Sequence, residues 1–500
     1  MLERLYTRSQ CQELERIAIE EFAIPGFELM QRAGRAAFAE LLDRWPQARS
    51  LSICCGKGNN AGDGYIVAGL ALGVGLRIEL VQLGGAAALS GDAALARDWA
   101  LGEGVVPIEP RGITLSGDVV VDALLGTGLR GGLRDPYAKM VRGINESPAP
   151  VLAIDIPTGV DADTGACAQP SVVADVTVTF IGRKRGLYTG PGVSAVGHVV
   201  YADLGVGREI LDLVPGTGLL NLEHLLSSNP LPSRDLNAYK QTLGHVVVVG
   251  GDHAMGGAPL MAAEAALRVG AGMVSVVTRA IHRPAILSRR PELMVVDADD
   301  TQARDEVLAR ATTLVVGPGL GRRPWGYELI RAALSMAKPM VLDADGLNVF
   351  ADLSSTAPLT VSGPIVVTPH TGEAATLLDC SSSSVHDDRF AAACALADLL
   401  AGVAVLKGAG TVIASHETAG SEILGVCAHG NPGMATAGMG DILAGVIGGM
   451  LAQGLCIEDA AVFGVCLHSC AGDAAANQIG ERSLLATDLL PQLMALLKNS

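Results

Sequence analysis

The stretch Ser50-Leu51-Ser52-Ile53-Cys54-Cys55-Gly56-Lys57-Gly58-Asn59-Asn60-Ala61-Gly62-Asp63-Gly64 decides how the first half of the chain folds. Six residues of a short apolar run meet a nine-residue loop with four glycines, and a helical pattern follows at once. A strand that turns directly into a helix is the opening move of a βαβ unit. Backbone amides at such a helix N-terminus can hold an anion. The loop matches neither a GxxxxGK[ST] nor a GxGxxG pattern. Its two asparagines and one aspartate add oxygens suited to a hard cation and amide groups suited to phosphate.

Working outward, apolar runs at 76–83, 118–123, 151–156, 172–180 and 197–203 read as further strands, with helical patterns between most of them. Residues 1–49 read as helices, with Thr7 or Ser9 as the first N-cap. A second series begins near residue 245, with strands expected at 245–250, 273–278, 312–317, 339–344, 364–368 and 403–407. Between the two, the Pro-, Ser- and Gly-rich stretch 205–242 lacks apolar periodicity and is the natural boundary. The expected organisation is α/β throughout. A Rossmann-like three-layer domain spans 1–215, a linker 216–240, and a second α/β domain 241–500.

Composition narrows the function. The 500 residues are 49% hydrophobic but only 3% aromatic, with 62 glycines, so the cores must be built from Ala, Val, Leu and Ile. A formal net charge of −16 argues against capture of nucleic acid, which needs a concentrated basic face. The ten cysteines form no CxxC pair and read as reduced, mostly buried thiols. The N-terminus lacks the apolar core of a signal peptide, and no run reaches membrane-spanning length, so a cytoplasmic protein without membrane contact is expected.

Chemistry-bearing residues gather where expected strands end. Asp122 closes one strand and is followed by a second glycine-rich loop, Gly126-Thr127-Gly128-Leu129-Arg130-Gly131-Gly132. Asp155 closes another, before Pro157, Thr158 and Gly159. In an open parallel sheet, ligands bind at that edge. The strings GKGNNAGDG, DALLGTGLRGG, DIPTGVD and FIGRKRGLYTGPG, in this order over about residues 1–210, resemble the NAD(P)H-hydrate epimerase family. The resemblance implies that Asn59, Asn60, Ala61, Gly62, Asp63 and Gly126–Gly132 hold the substrate's phosphates and ribose. It implies a potassium ion on Asn60, Asp122 and Thr158, acid–base work by Asp155, and Lys184 close to the substrate. The family's loop usually has glycine where Ala61 stands; if that position needs positive φ, alanine costs on the order of 1 kcal/mol.

In the second half, Gly438-Met439-Gly440-Asp441 opens an apolar helix, a GxGD arrangement whose amides can neutralise a transferring phosphoryl group while Asp441 takes a proton. Around it stand Gly317–Gly321, Asp343–Asn348, Thr368–Glu373 and Lys407–Thr411, each at an expected strand end, and Gly256–Pro259 at a helix start. Taken singly, His370 reads as well as a loop histidine, and Asp343 with Asp345 as turn caps. Together over roughly 240–495 these strings resemble the ADP- or ATP-dependent NAD(P)H-hydrate dehydratase family. That resemblance implies a ribokinase-like fold, with Ala258, Gly319, His370 and Asp441 at the hydrate. It places Lys407, Gly408, Ala409, Gly410, Thr411 and Gly440 at the nucleotide, and it implies Mg²⁺ and ADP or ATP as co-substrate. Read jointly, the two halves imply metabolite repair. R and S hydrates of NADH and NADPH (NADHX and NADPHX) would be epimerised, and the S form dehydrated with ADP going to AMP and phosphate. A homo-oligomer is a further expectation of the family. Two rivals keep parts of this picture: a small-molecule hydroxyl kinase in the second half, and a non-catalytic binding module in the first.

Overall fold

The computed structural model describes residues 3–110, 115–129, 131–228, 231, 234–356 and 361–499. They fall into two compact units, residues 4–217 and residues 218–499 with residue 3.

The N-terminal unit is built on seven parallel strands in the order Pro107–Ile108, Arg77–Gln82, Ser50–Cys55, Val119–Ala123, Val151–Ile154, Val176–Phe180, His198–Ala202. The chain starts in the interior at Ser50–Cys55, winds outward to Pro107–Ile108, then returns to the other side at Val119–Ala123. That reversal leaves a crevice beyond the carboxyl ends of the two central strands, the place where such sheets bind ligands. Gly56 N–H bonds to Ala123 O across it, at 3.1 Å. The central strands are wholly buried, as parallel strands covered on both faces must be.

The start of the chain differs from the all-helical reading. Glu3–Tyr6 is a strand, and its Leu5 and Tyr6 pair in parallel with Arg183 and Lys184. Four residues are too few to show a period of two. Helix Arg8–Glu20 follows, begun by a capping box in which Thr7 Oγ1 accepts from Gln10 N–H and the Gln10 side chain accepts from Thr7 N–H.

The C-terminal unit repeats the winding. Parallel strands run in the order Met294–Asp297, Met273–Thr278, His245–Val249, Thr313–Val316, Met340–Leu342, Ile365–Val367, Val403–Leu406. Thr411–Ser415 and Glu422–Cys427 then add antiparallel. The reversal lies between His245–Val249 and Thr313–Val316, where Gly317 N–H bonds to Val249 O. The segment 216–240, expected as a linker, carries part of this unit: Leu219 pairs with Val426, helix Leu222–Ser228 follows, and Leu220 and Leu222 join the core.

Helix Met439–Ala452 is apolar all round, and the fold buries it accordingly. It lies against helix Gly257–Arg268 so closely that a Cβ at position 445 would stand 2.1 Å from the Ala262 carbonyl oxygen. Only glycine permits that approach. Gly445→Val is expected to lower the stability of the unit by about 3 kcal/mol, at the upper end of overpacking costs. Calorimetry on the full chain reads it as an earlier transition; an unmoved profile would show that the two helices separate freely.

Candidate active sites

In the N-terminal unit, the crevice holds a cavity of about 380 Å³. Asn59, Asn60, Asp63, Gly126, Thr127, Gly128, Asp155 and Lys184 line it, so two glycine-rich loops, the Asp155 strand end and one lysine converge. Ala61 and Gly62 lie in helix Asn59–Gly73 and are buried. Position 61 therefore has right-handed backbone, and the strain anticipated for an alanine there does not arise. Leu129, Gly131 and Gly132 are not among the lining residues, and Arg130 lies outside the described ones.

Asp155 sits at φ +65°, in the left-handed region that aspartate tolerates better than most residues. The conformation follows from Asp155 N–H bonding to Val178 O at 2.8 Å, immediately past the strand end. Its Oδ1 receives the Lys184 ammonium, which also donates to Phe180 O at 2.9 Å. Burial works against the charge on Lys184, but Asp155 outweighs it and holds the lysine above its ordinary pKa. Asp63, on the next wall, is pushed well above the carboxylate range by burial and by Asp155 and Glu15. The cavity thus offers the Lys184–Asp155 pair beside an Asp63 carboxyl group whose burial favours the protonated form.

Asp122 and Thr158 lie just below, 0% and 1% exposed. Asp122 accepts from Thr158 N–H at 2.7 Å, Thr158 Oγ1 at 2.8 Å and Leu124 N–H at 3.1 Å. Burial still raises its pKa to about 6 against those three bonds. Asn60 presents a different case. It is 6% exposed, yet neither its amide oxygen nor its amide nitrogen has a hydrogen-bond partner. A buried amide left so costs about 1–3 kcal/mol. Gly126 sits between Asn60 and Asp155, since a Cβ there would stand 3.6 Å from Asn60 Cβ and 3.8 Å from Asp155 Oδ2. A buried amide oxygen without a proton partner fits a hard monovalent cation.

Sequence reading missed one wall. Arg8, Cys11, Gln12 and Glu15 from helix Arg8–Glu20, with Met30, Asp92 and Leu204, complete the cavity. Only the helical period marked that segment, and a helix period does not say which polar face meets a ligand.

In the C-terminal unit the candidate residues also gather at the carboxyl edge. Asp343, 1% exposed, accepts from Thr368 Oγ1 at 2.7 Å and from Lys407 Nζ at 2.8 Å. Gly440 packs against this pair: a Cβ there would lie 3.3 Å from both Asp343 Oδ2 and Lys407 Nζ. Asp441 follows in the first turn of Met439–Ala452, after Gly438 at φ +94°. Burial, reinforced by Asp343 and Asp345 and opposed by Lys407, raises the Asp441 pKa to about 6. Asp345 Oδ2 accepts from Gly321 N–H at 2.9 Å. Gly319 and Ala258 are neighbours, a Cβ on the first lying 3.2 Å from the second. Gly408–Gly410 form the turn between Val403–Leu406 and Thr411–Ser415, with Thr411 Oγ1 donating to Gly408 O. His370 caps helix Thr371–Leu377: its Nδ1 accepts from Gly372 and Glu373 N–H. Its side chain is 61% exposed, and Glu373 beside it reaches to 3.9 Å from Lys407 Nζ.

One positioning contact was invisible in the sequence. Buried His468, from helix Ile457–Ile479, meets the Met439 carbonyl at 3.0 Å, and burial lowers its pKa to about 4, so it is neutral.

Against this geometry, comparison with known proteins is decisive. Residues 246–494 match the family model described as NAD(P)H-hydrate dehydratase, and residues 26–186 the one described as YjeF-related protein N-terminus. The bifunctional NAD(P)H-hydrate repair enzyme of Coxiella burnetii is 45% identical over 98% of this chain and 99% of its own length. The chain belongs to the family of bifunctional NAD(P)H-hydrate repair enzymes. The Escherichia coli member is 41% identical over 96% of this chain and 91% of its own. Among solved structures, a ribokinase-like superfamily protein of Enterococcus faecalis superposes with TM-score 0.51 and 29% identity, over 56% of this chain and 95% of that one. The C-terminal unit is accordingly ribokinase-like.

The unpartnered Asn60 amide generates a prediction. Asn60→Ala removes no hydrogen bond of the chain, so in potassium-free buffer the unfolding free energy should change by less than about 1 kcal/mol. If Asn60 ligates potassium, added potassium should stabilise the parent protein and not the variant. A thermal-shift titration with KCl, choline chloride keeping ionic strength constant, checks both; an undiminished potassium effect in the variant would remove Asn60 from the ion's ligands.

Proposed function

We propose that the protein repairs hydrated NADH and NADPH, the N-terminal unit interconverting R and S epimers and the C-terminal unit dehydrating the S form. What carries this reading is end-to-end similarity to bifunctional repair enzymes, together with the intact cluster of Asp343, Lys407, Gly440 and Asp441.

The hydrate bears a hydroxyl on ring carbon 6, beside nitrogen. Inversion needs the hydroxyl to leave as water, giving an iminium, and water to return on the other face. Asp155 carries the proton in this exchange and faces the cation electrostatically. Lys184 fixes the position of the Asp155 side chain through its contact with Oδ1. Asn59, Asp63 and Gly126–Gly128 bind the remainder of the dinucleotide. Asn60, Asp122 and Thr158 would hold potassium, which supplies positive charge to the phosphate-binding loops. Asp155→Asn keeps the side chain's shape and removes its proton affinity. Interconversion of the epimers without nucleotide, followed by chromatography, should fall at least about a hundredfold, the lower end of what one acid–base group contributes. Wild-type interconversion in the variant would reassign the base.

Dehydration uses a better leaving group than hydroxide. Asp441 takes the proton of the C6 hydroxyl as its oxygen attacks the terminal phosphorus of ADP, and the bond to AMP breaks. The ring nitrogen's lone pair then expels phosphate, and loss of a C5 proton restores the dihydronicotinamide. Amides at the start of Met439–Ala452 face the transferred group. Lys407–Thr411 and Gly440 contact the nucleotide, and Ala258, Gly319 and His370 the hydrate. Mg²⁺ would enter largely on the nucleotide's phosphate oxygens, as this ion keeps much of its oxygen shell. The family permits ADP or ATP, and we adopt ADP. The cytoplasmic location is kept from the sequence reading, and the homo-oligomer is carried over from the family resemblance.

Asp441 must be ionised to act. With its pKa held near 6, turnover should be flat above that value and fall about tenfold per unit below it. An R/S mixture of NADH hydrate with Mg²⁺, and ADP or ATP in separate runs, tests the whole reading through recovery of dihydronicotinamide absorbance. Complete recovery supports both activities and names the donor. Recovery limited to the S fraction would withdraw the epimerase, and a stable phosphorylated product would mark a kinase instead. Asp441→Asn should retain nucleotide binding and lose most turnover.

A further inference from the structure

Arg389 opens helix Arg389–Leu400, and its side chain is among the largest that are fully buried. Removing a guanidinium from water costs several kcal/mol unless strong hydrogen bonds offset it. Its location is therefore informative. One terminal nitrogen donates to Leu406 O at 2.9 Å and to Lys407 O at 3.2 Å. These carbonyls belong to the last residue of strand Val403–Leu406 and the first residue of the turn. The same guanidinium lies directly under Gly408. A Cβ there would stand 3.1 and 3.3 Å from the two terminal nitrogens and 3.4 Å from the central carbon. Gly408, at φ +148°, is thus pinned from below and has no room for a side chain. Burial lowers the Arg389 pKa to about 10, so it remains a cation at neutral pH.

The chain of contacts continues toward the reaction. Lys407 extends from this pinned turn to Asp343 at 2.8 Å, with Glu373 at 3.9 Å, and Gly440 packs against the pair. The charged groups around Asp441 are Asp343 and Asp345 from the turn after Met340–Leu342, and Lys407 from the hairpin. Glu373 and His370 stand beyond Lys407, and neutral His468 holds the Met439 carbonyl. Lys407 is the one cation in this set that opposes the two aspartates.

We propose that Arg389 is a positioning residue for dehydration: by gripping the carbonyls of Leu406 and Lys407 it fixes where the Lys407 ammonium stands relative to Asp343 and Asp441. The inference rests on Asp441 being the base, as read above. With the grip removed, Lys407 samples other positions, while Asp343 and Asp345 stay beside Asp441. Asp441 then binds its proton more tightly, and the acidic limb of the pH–rate profile moves to higher pH.

The test uses the full chain with Arg389→Met and Arg389→Lys. Nucleotide-dependent dehydration is followed across the acidic and neutral range, and epimer interconversion is followed without nucleotide on the same preparations. Arg389→Met should lose about tenfold to a hundredfold in kcat, the scale of a displaced catalytic neighbour. Its acidic limb should shift upward, and epimer interconversion should be unaffected. Arg389→Lys, which keeps the charge and one donor, should recover part of kcat and of the limb. Wild-type kcat and limb in Arg389→Met would overturn the proposal, whatever the melting temperature does. A fall in kcat with an unmoved limb would overturn it too, because Lys407 would then have stayed in place. If Arg389→Met does not fold, Arg389→Lys decides by the same limb: displacement supports, wild-type kcat and limb overturn. Absence of nucleotide-dependent turnover in the parent protein would instead strike at the functional reading beneath it.

Discussion

A carboxylate buried at the end of a parallel strand must find a cation or keep its proton, and each unit answers that constraint with a lysine. Asp155 meets Lys184, and Asp343 meets Lys407. Desolvating either member alone costs more than the pair's attraction in water returns, so the pair forms only where the fold brings both together. The sheet winding supplies that place. In each unit the chain reverses direction across the sheet, and the strands on either side of the reversal end in loops facing one crevice. The lysines arrive from farther along the chain. Lys184 is set by pairing of Tyr6 beside it, and Lys407 by the hairpin that follows Val403–Leu406.

What was legible in the sequence follows from local physics. Most expected strands had an apolar run closed at or near its end by glycine, proline or aspartate, because a strand buried on both faces admits little else. The glycine-rich loops and the aspartates after them were readable for the same reason, and eight of the expected N-terminal residues line one cavity. What escaped was long-range. Strand Glu3–Tyr6 exists through its pairing with residues near 183, about 180 positions away. Leu220 and Leu222 belong to a core assembled from residues up to Leu493, so the stretch around them read as a linker. Nothing within one helical turn of Arg389 or His468 records that it meets a carbonyl of another element. Ala61 failed in the opposite sense. A departure from the usual glycine suggested strain, but the position is helical, and alanine is at ease there.

The two sites also divide one chemical problem. On the proposed reading, both remove a hydroxyl from a carbon next to nitrogen, and a carboxylate handles the proton in each. The epimerase can let water depart and return, because the product is another hydrate and the hydroxyl need not be lost for good. A polar cavity with an ion pair suits that exchange. Dehydration must make departure irreversible, which phosphate accomplishes and water does not. A group that transfers phosphate needs a base ionised near neutrality, amides for the phosphoryl oxygens, and a neighbouring cation that does not itself take the proton. Asp441, the first turn of Met439–Ala452 and Lys407 meet those three needs. The tension between them is electrostatic. Asp343 anchors Lys407 yet raises the Asp441 pKa, and only a lysine held in place keeps that pKa near 6 and no higher. The placement of Lys407 therefore bears on Asp441 through the same balance of charges.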